Sequence, residues 1–147
     1  MKILFVCTGN ICRSPMAEVI FENLAKKNKR KDIVVKSAGV MTVGGLPMTP
    51  TAFEALLHCG EKMGRKTRKS TLFSEVMVYE YDYVICMTGG HKDRIGMFDN
   101  VYTLDDLVGC GDINDPFMQG LKTYTGVCKQ LQDALGKLYD KIVENKN

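Results

Sequence analysis

The sequence predicts an α/β fold: a doubly wound sandwich with a four-stranded parallel sheet and helices on both faces. Three observations point there. Short apolar or β-branched runs alternate with longer segments of helical period, the pattern of a parallel sheet joined by helical crossovers. The first run, Ile3-Leu4-Phe5-Val6, is apolar without interruption, as a buried strand is. A loop from Cys7 to Pro15 then leaves the carboxyl end of that strand, where sheets of this kind bind their ligands. No internal repeat, low-complexity segment or composition break interrupts the chain, so a single domain is expected over residues 1–147.

Taken in order, Lys2 to Cys7 is the first strand. Ser14 to about Lys27 is a helix, with Met16, Ile20 and Leu24 at four-residue spacing and Val19 widening the face. It runs out in Lys26-Lys27-Asn28-Lys29-Arg30-Lys31, a solvated basic end favoured by the helix dipole. Ile33 to Ser37 is the second strand. Gly44-Gly45 and Pro47 mark a loop, and Thr49 caps a helix with Pro50 in its first position, running to about Cys59. Gly60 to Ser70 is a largely basic connection, and its Lys62–Lys69 stretch reads as a solvated loop. A short helix is expected over about Leu72 to Val78, the third strand over Asp82 to Met87, and a helix from Thr88 to about Met97 that Gly89-Gly90 weakens. Val101 to Leu104 is the fourth strand. A loop with Gly109, Gly111 and Pro116 leads to the last helix, about Lys122 to Glu144.

Composition narrows the class. The 147 residues are 45% apolar and 25% charged, with a net charge of +3, which suits anionic ligands without demanding nucleic acid. No apolar run approaches the roughly 20 residues a membrane span needs, and Met1-Lys2 leads straight into a strand with no signal-peptide pattern. The six cysteines, Cys7, Cys12, Cys59, Cys86, Cys110 and Cys128, are therefore read as reduced thiols of a cytoplasmic protein. They form no Cys-x-x-Cys pair, and His58 and His91 stand far apart as helix-face residues, so no metal and no cofactor are expected.

The run Val6-Cys7-Thr8-Gly9-Asn10-Ile11-Cys12-Arg13-Ser14-Pro15 carries the chemistry. A loop between strand and helix can turn its backbone N–H groups to one spot, and the helix N-terminus adds partial positive charge there. Gly9-Asn10 tolerates the left-handed angles such a loop needs. The Arg13 fork suits two oxygens of a phosphate. Cys7 lies at the bottom of the same bowl, where these groups would stabilise a thiolate, and a thiolate under a bound phosphate is a nucleophile for phosphoryl transfer.

Cys7 to Pro15, continued by Met16-Ala17-Glu18, resembles the signature of the low-molecular-weight protein tyrosine phosphatases, whose flavodoxin-like fold agrees with the strand and helix order. Ser37-Ala38-Gly39, Tyr83-Val84-Ile85-Cys86-Met87 and Asp115-Pro116-Phe117 follow in the family's order over nearly the whole chain. The resemblance implies a two-step, metal-independent hydrolysis. Cys7 attacks phosphorus, Asp115 protonates the leaving oxygen and then serves as base toward water, and Arg13 with the Thr8–Ser14 loop holds the phosphate. Pro116 stiffens the backbone behind Asp115, a feature its neighbours Asp105, Asp106 and Asp112 lack. Asn10, Ser14 and Ser37 match positions that hold the loop in shape. Cys12 matches a second loop cysteine that can capture oxidised Cys7 as a reversible disulfide. A packing role for Cys12 is the alternative.

Ile11 and Phe117 would form an apolar and aromatic rim that admits a flat phenyl ring, so phosphotyrosine is the expected substrate. A branch acting on phosphoarginine shares Met87-Thr88, His91-Lys92 and Asp115-Pro116-Phe117, but typically has threonine where this chain has Ile11. Isoleucine there would leave guanidinium donors unpaired, at roughly 1–3 kcal/mol. The paired aromatics common in the tyrosine phosphatases are incomplete, since Met118 follows Phe117. Thiol-dependent arsenate reductases share the loop but need two further clustered cysteines, which Cys86 lacks nearby. A purely phosphate-binding module would need neither nucleophile nor acid. The expected partners are a phosphorylated protein or aryl phosphate as substrate and inorganic phosphate as product, with no nucleic acid and no membrane, on a monomer.

Overall fold

The computed structural model describes residues 1–64 and 68–145. Strands β1 (Lys2–Cys7), β2 (Val34–Gly39), β3 (Tyr83–Cys86) and β4 (Val101–Thr103) form one sheet in the order β2-β1-β3-β4. Every pairing is parallel, as predicted. The chain goes from β1 outward to β2, then returns to the other side of β1 for β3. The order reverses beside β1, so the crevice for a ligand opens beyond the carboxyl ends of β1 and β3, at Cys7 and Met87.

Side-chain alternation divides the core. Ile3, Phe5 and Cys7 face one layer, and Leu4 and Val6 face the other. The first layer holds α1 (Arg13–Lys27), α2 (Pro50–His58) and α6 (Leu121–Ile142). Phe21 of α1 sets its ring edge to Phe5 at 5.8 Å and meets Tyr139 of α6 at 5.6 Å. The second layer is smaller and uses Val78 of α3 (Val76–Glu80) and Ile95 of α4 (Gly89–Ile95) against Leu4, Val6, Val84 and Val101.

Local chemistry explains most element ends. Thr49 accepts from the Ala52 amide, and Pro50 opens α2. The basic residues Lys26 and Lys27 close α1 as the dipole favours. The short helix expected from Leu72 begins four residues later, because residues 69–73 are extended. Leu72 bridges Gly39, Lys69 bridges Pro47, and the Phe73 amide donates to the Gly39 carbonyl. A helix over Leu104–Val108, α5, replaces the expected loop. Thr103 and Asp106 form a reciprocal cap at its start, and Gly109 ends it in a left-handed turn.

Within the basic stretch Lys62–Lys69, residues 65–67 lie outside the described residues. Arg68 corrects the solvated reading. Its side chain is nearly buried, with Nε 2.9 Å from Glu18 and Nη2 3.0 Å from Glu22. Among the described residues, no helix is long and apolar enough to cross a membrane.

Candidate active site

Cys7 ends β1 and α1 begins at Arg13, so five residues carry the chain round a bowl whose floor is the Cys7 thiol. Asn10 is the residue that turns it, with φ of 57°. Gly9 stays out of the left-handed region, so Asn10 alone takes the turn expected of the pair. An asparagine bears that conformation at little cost, and both ends of its amide are used. Asn10 Oδ1 accepts from the Thr71 amide at 2.9 Å, and Nδ2 donates to Ser14 Oγ at 2.7 Å. Ser14 Oγ lies 2.9 Å from Cys7 Sγ and 3.4 Å from the Ala38 carbonyl. Because Asn10 already donates to it, the Ser14 hydroxyl has its hydrogen to give, either to the Ala38 carbonyl or to a thiolate at the closer Cys7 sulfur.

Arg13 is buried at the head of α1. Its Nη1 donates to the Ile113 carbonyl at 3.0 Å and its Nη2 to Thr8 Oγ1 at 3.3 Å. The same Nη2 lies 3.6 Å from Asp115 Oδ2, whose carboxylate is half exposed at 52%. Asp115 Oδ1 accepts from the Phe117 amide at 3.1 Å, which fixes the carboxyl relative to the ring that follows Pro116. Cys12 provides no side-chain cap to α1, so the first-turn N–H groups are available to an anion.

These parts enclose a cavity of ≈ 190 Å³ lined by Cys7, Thr8, Gly9, Ile11, Cys12, Arg13, Asp115 and Phe117. Residues separated by more than a hundred positions thus meet around one space. Ile11 and the half-exposed Phe117 supply apolar wall, Arg13 supplies fixed positive charge, and Asp115 supplies an exposed carboxyl beside it.

Two expectations are corrected. The Ser37 hydroxyl bonds to α1 and not to the loop. Ser37 pairs with Phe5 rather than with Cys7, so it sits two residues short of the bowl, and its Oγ donates to Glu18 at 2.7 Å. That carboxylate is the one Arg68 pairs with, so Ser37 ties β2 to α1 and to residue 68. His91 is not an ordinary helix-face residue either. It is buried, its Nε2 lies 2.9 Å from Thr8 Oγ1, and its Nδ1 lies 3.2 Å from the Thr88 amide. Burial, aided by the Arg13 charge, pushes its pKa down to about 4. His58, by contrast, is exposed beside Glu54.

Cys12 is buried, with Tyr124 Oη 3.3 Å and Thr49 Oγ1 3.6 Å from its sulfur. Burial raises its pKa, against the two hydroxyls. Gly39 escaped sequence reasoning as a site residue although Ser37-Ala38-Gly39 stood out as a motif. A Cβ on Gly39 would stand 2.6 Å from the Thr8 carbonyl oxygen and 3.0 Å from both the Asn10 Cβ and its amide nitrogen, so glycine there lets β2 support the loop from behind.

The model of the low molecular weight phosphotyrosine protein phosphatase family matches residues 2–147. A protein-arginine-phosphatase of Bacillus subtilis is 35% identical, with 99% of each chain covered. The low molecular weight protein-tyrosine-phosphatase PtpB of Staphylococcus haemolyticus is also 35% identical, over 94% of this chain and 97% of its own. The solved structure of a YwlE arginine phosphatase mutant with a phosphorylated active site serine superposes with a TM-score of 0.90 at 33% identity, covering 99% of this chain and 98% of that one. The chain belongs to the low molecular weight phosphotyrosine protein phosphatase family and is a cysteine-based protein phosphatase.

Proposed function

We propose that the chain hydrolyses phosphotyrosine in proteins through a phosphoryl group carried on Cys7. The supporting observation is the convergence of Cys7, Arg13 and Asp115 on one small cavity, with Arg13 held in advance by the Ile113 carbonyl and Thr8. The Cys7 thiolate forms a bond to phosphorus as the bond to the tyrosyl oxygen breaks. Asp115 gives that oxygen its proton. Water then attacks the cysteinyl-phosphate, Asp115 takes the proton back, and inorganic phosphate leaves with the thiolate restored. Arg13, the loop Thr8–Ser14 and the head of α1 carry the negative charge that spreads over the phosphoryl oxygens.

The phosphorylated serine in the YwlE mutant's active site supports a covalent route in this fold. Ser14, 2.9 Å from the sulfur, is placed to stabilise Cys7 as nucleophile and then as leaving group. Ile11 and Phe117 select the substrate. A phenyl ring loses nothing against isoleucine, whereas a guanidinium would leave donors without acceptors there. The cytoplasm is the setting in which all six thiols remain reduced, and a monomer suffices because one chain supplies every group named.

The test is hydrolysis of a chromogenic aryl phosphate. Wild type turns it over without added metal, and Cys7→Ser loses all measurable turnover while still binding phosphate. Retained turnover in Cys7→Ser would remove the nucleophile from the scheme.

A further inference from the structure

Thr8 follows Cys7 and lines the cavity, yet the mechanism above uses its hydroxyl only to accept from Arg13. The hydrogen bonds around it fix what that hydroxyl can do. The Thr88 backbone amide faces His91 Nδ1 at 3.2 Å. Thr88 Oγ1 also lies 3.1 Å from Nδ1 and accepts from the His91 amide, which leaves its own hydrogen to give to the ring. A backbone N–H can only donate, so Nδ1 is the acceptor of both, and a neutral imidazole then carries its hydrogen on Nε2. That Nε2–H, 2.9 Å from Thr8 Oγ1, donates to it. Arg13 Nη2, which is also only a donor, reaches the same oxygen at 3.3 Å. Two donors therefore occupy the two lone pairs of one hydroxyl, and its own hydrogen remains for a third partner.

We propose that the Thr8 side-chain hydroxyl is a catalytic hydrogen-bond donor to a phosphoryl oxygen, and that His91 is the positioning residue that forces it to donate by holding the Nε2–H tautomer. The inference rests on the phosphatase reading of this site. A phosphoryl dianion presents only acceptors, so a hydroxyl free to turn its lone pairs inward would have to reorient at each turnover. One already held as a donor does not. The arrangement holds while His91 is neutral, since a second hydrogen, on Nδ1, would meet the Thr88 N–H. Burial and the Arg13 guanidinium favour the neutral ring, against Asp112 and Asp115.

The experiment pairs kinetics on an aryl phosphate with nitrogen-15 NMR of the histidine rings in wild type. Thr8→Val keeps the shape and removes the hydroxyl, and kcat falls by about 10- to 100-fold, more than KM changes, as expected for a lost bond to a charged group. Thr8→Ser, which keeps the hydroxyl, recovers most of that loss. His91→Phe lowers kcat similarly, His91→Gln recovers part of it by offering an amide donor, and Thr8→Val with His91→Phe is little worse than either alone. The His91 signals show a bare Nδ1 and a protonated Nε2 at neutral pH. Full activity in Thr8→Val, equal damage in Thr8→Ser and Thr8→Val, or a protonated Nδ1 overturns the inference while the phosphatase reading stands. A wild type that hydrolyses no phosphate ester overturns both.

Discussion

Gly39→Ala tests whether the back of the loop is as tightly supported as the packing implies. The new Cβ would lie 2.6 Å from the Thr8 carbonyl oxygen, where ordinary contact begins at 3.4 Å, so a displacement of about 0.8 Å is required. Neither side yields freely. The Thr8 carbonyl accepts from the Met41 amide at 2.9 Å, the Gly39 amide donates to the Thr71 carbonyl at 2.8 Å, and Thr71 in turn holds Asn10. The move therefore passes into the loop between Cys7 and Arg13. Overpacking of this kind costs about 1–3 kcal/mol of stability, and a misplacement near 1 Å costs on the order of 100-fold in rate. The assay is kcat/KM on an aryl phosphate beside urea unfolding. Gly126→Ala is the control, because Gly126 lies inside α6 and its added Cβ meets nothing within 4 Å. It should gain about 0.5–1 kcal/mol and keep its rate. A folded Gly39→Ala with wild-type kcat/KM would refute the reasoning.

Three further outcomes follow from the same geometry. Asp115→Asn should slow hydrolysis by about 100- to 10,000-fold for poor leaving groups and far less for good ones, since only the former need the proton; an equal loss across leaving groups removes Asp115 as the acid. Ile11→Thr should shift the ratio of phosphoarginine to phosphotyrosine hydrolysis upward, read on matched peptides, and an unchanged ratio removes Ile11 as a selecting wall. His91 gives a pH dependence of stability. Its folded pKa is depressed from 6.5 to about 4, so the unfolded chain takes up this proton first, and stability is lost as pH falls from 6.5 towards 4. Unfolding free energies of wild type and His91→Gln at pH 7 and pH 5 should show the smaller drop in the variant.

The parts of the site carried on contiguous residues were legible in the sequence. Cys7, Asn10, Arg13 and Ser14 lie within one strand–loop–helix transition, so their spacing alone places them round a common point. Asp115 was legible through its proline. Gly39 and His91 act on the loop from about 30 and 80 positions away, through strand register and through the head of α4; Ser37-Ala38-Gly39 and His91-Lys92 marked their positions, but nothing local showed that either reaches the loop. Gly39 is needed for a close approach rather than for a turn, so its φ gives no sign of it. Ser37 was misread because its side chain faces the same layer as Phe5, where Glu18 lies, two residues before the bowl. For α5, five residues are too few to show a helical period, although the Thr103–Asp106 cap was visible in principle. Arg68 looked like part of a solvated basic run, but it has two acidic partners on α1 that only folding brings near.

The measurement that tests the central claim most directly is a side-by-side hydrolysis of phosphotyrosine and phosphoarginine peptides, with Cys7→Ser as the blank. Cys7-dependent release of phosphate is expected, with phosphotyrosine preferred. A preference for phosphoarginine would contradict the selecting role of Ile11 and Phe117, and release that persists in Cys7→Ser would contradict the mechanism itself.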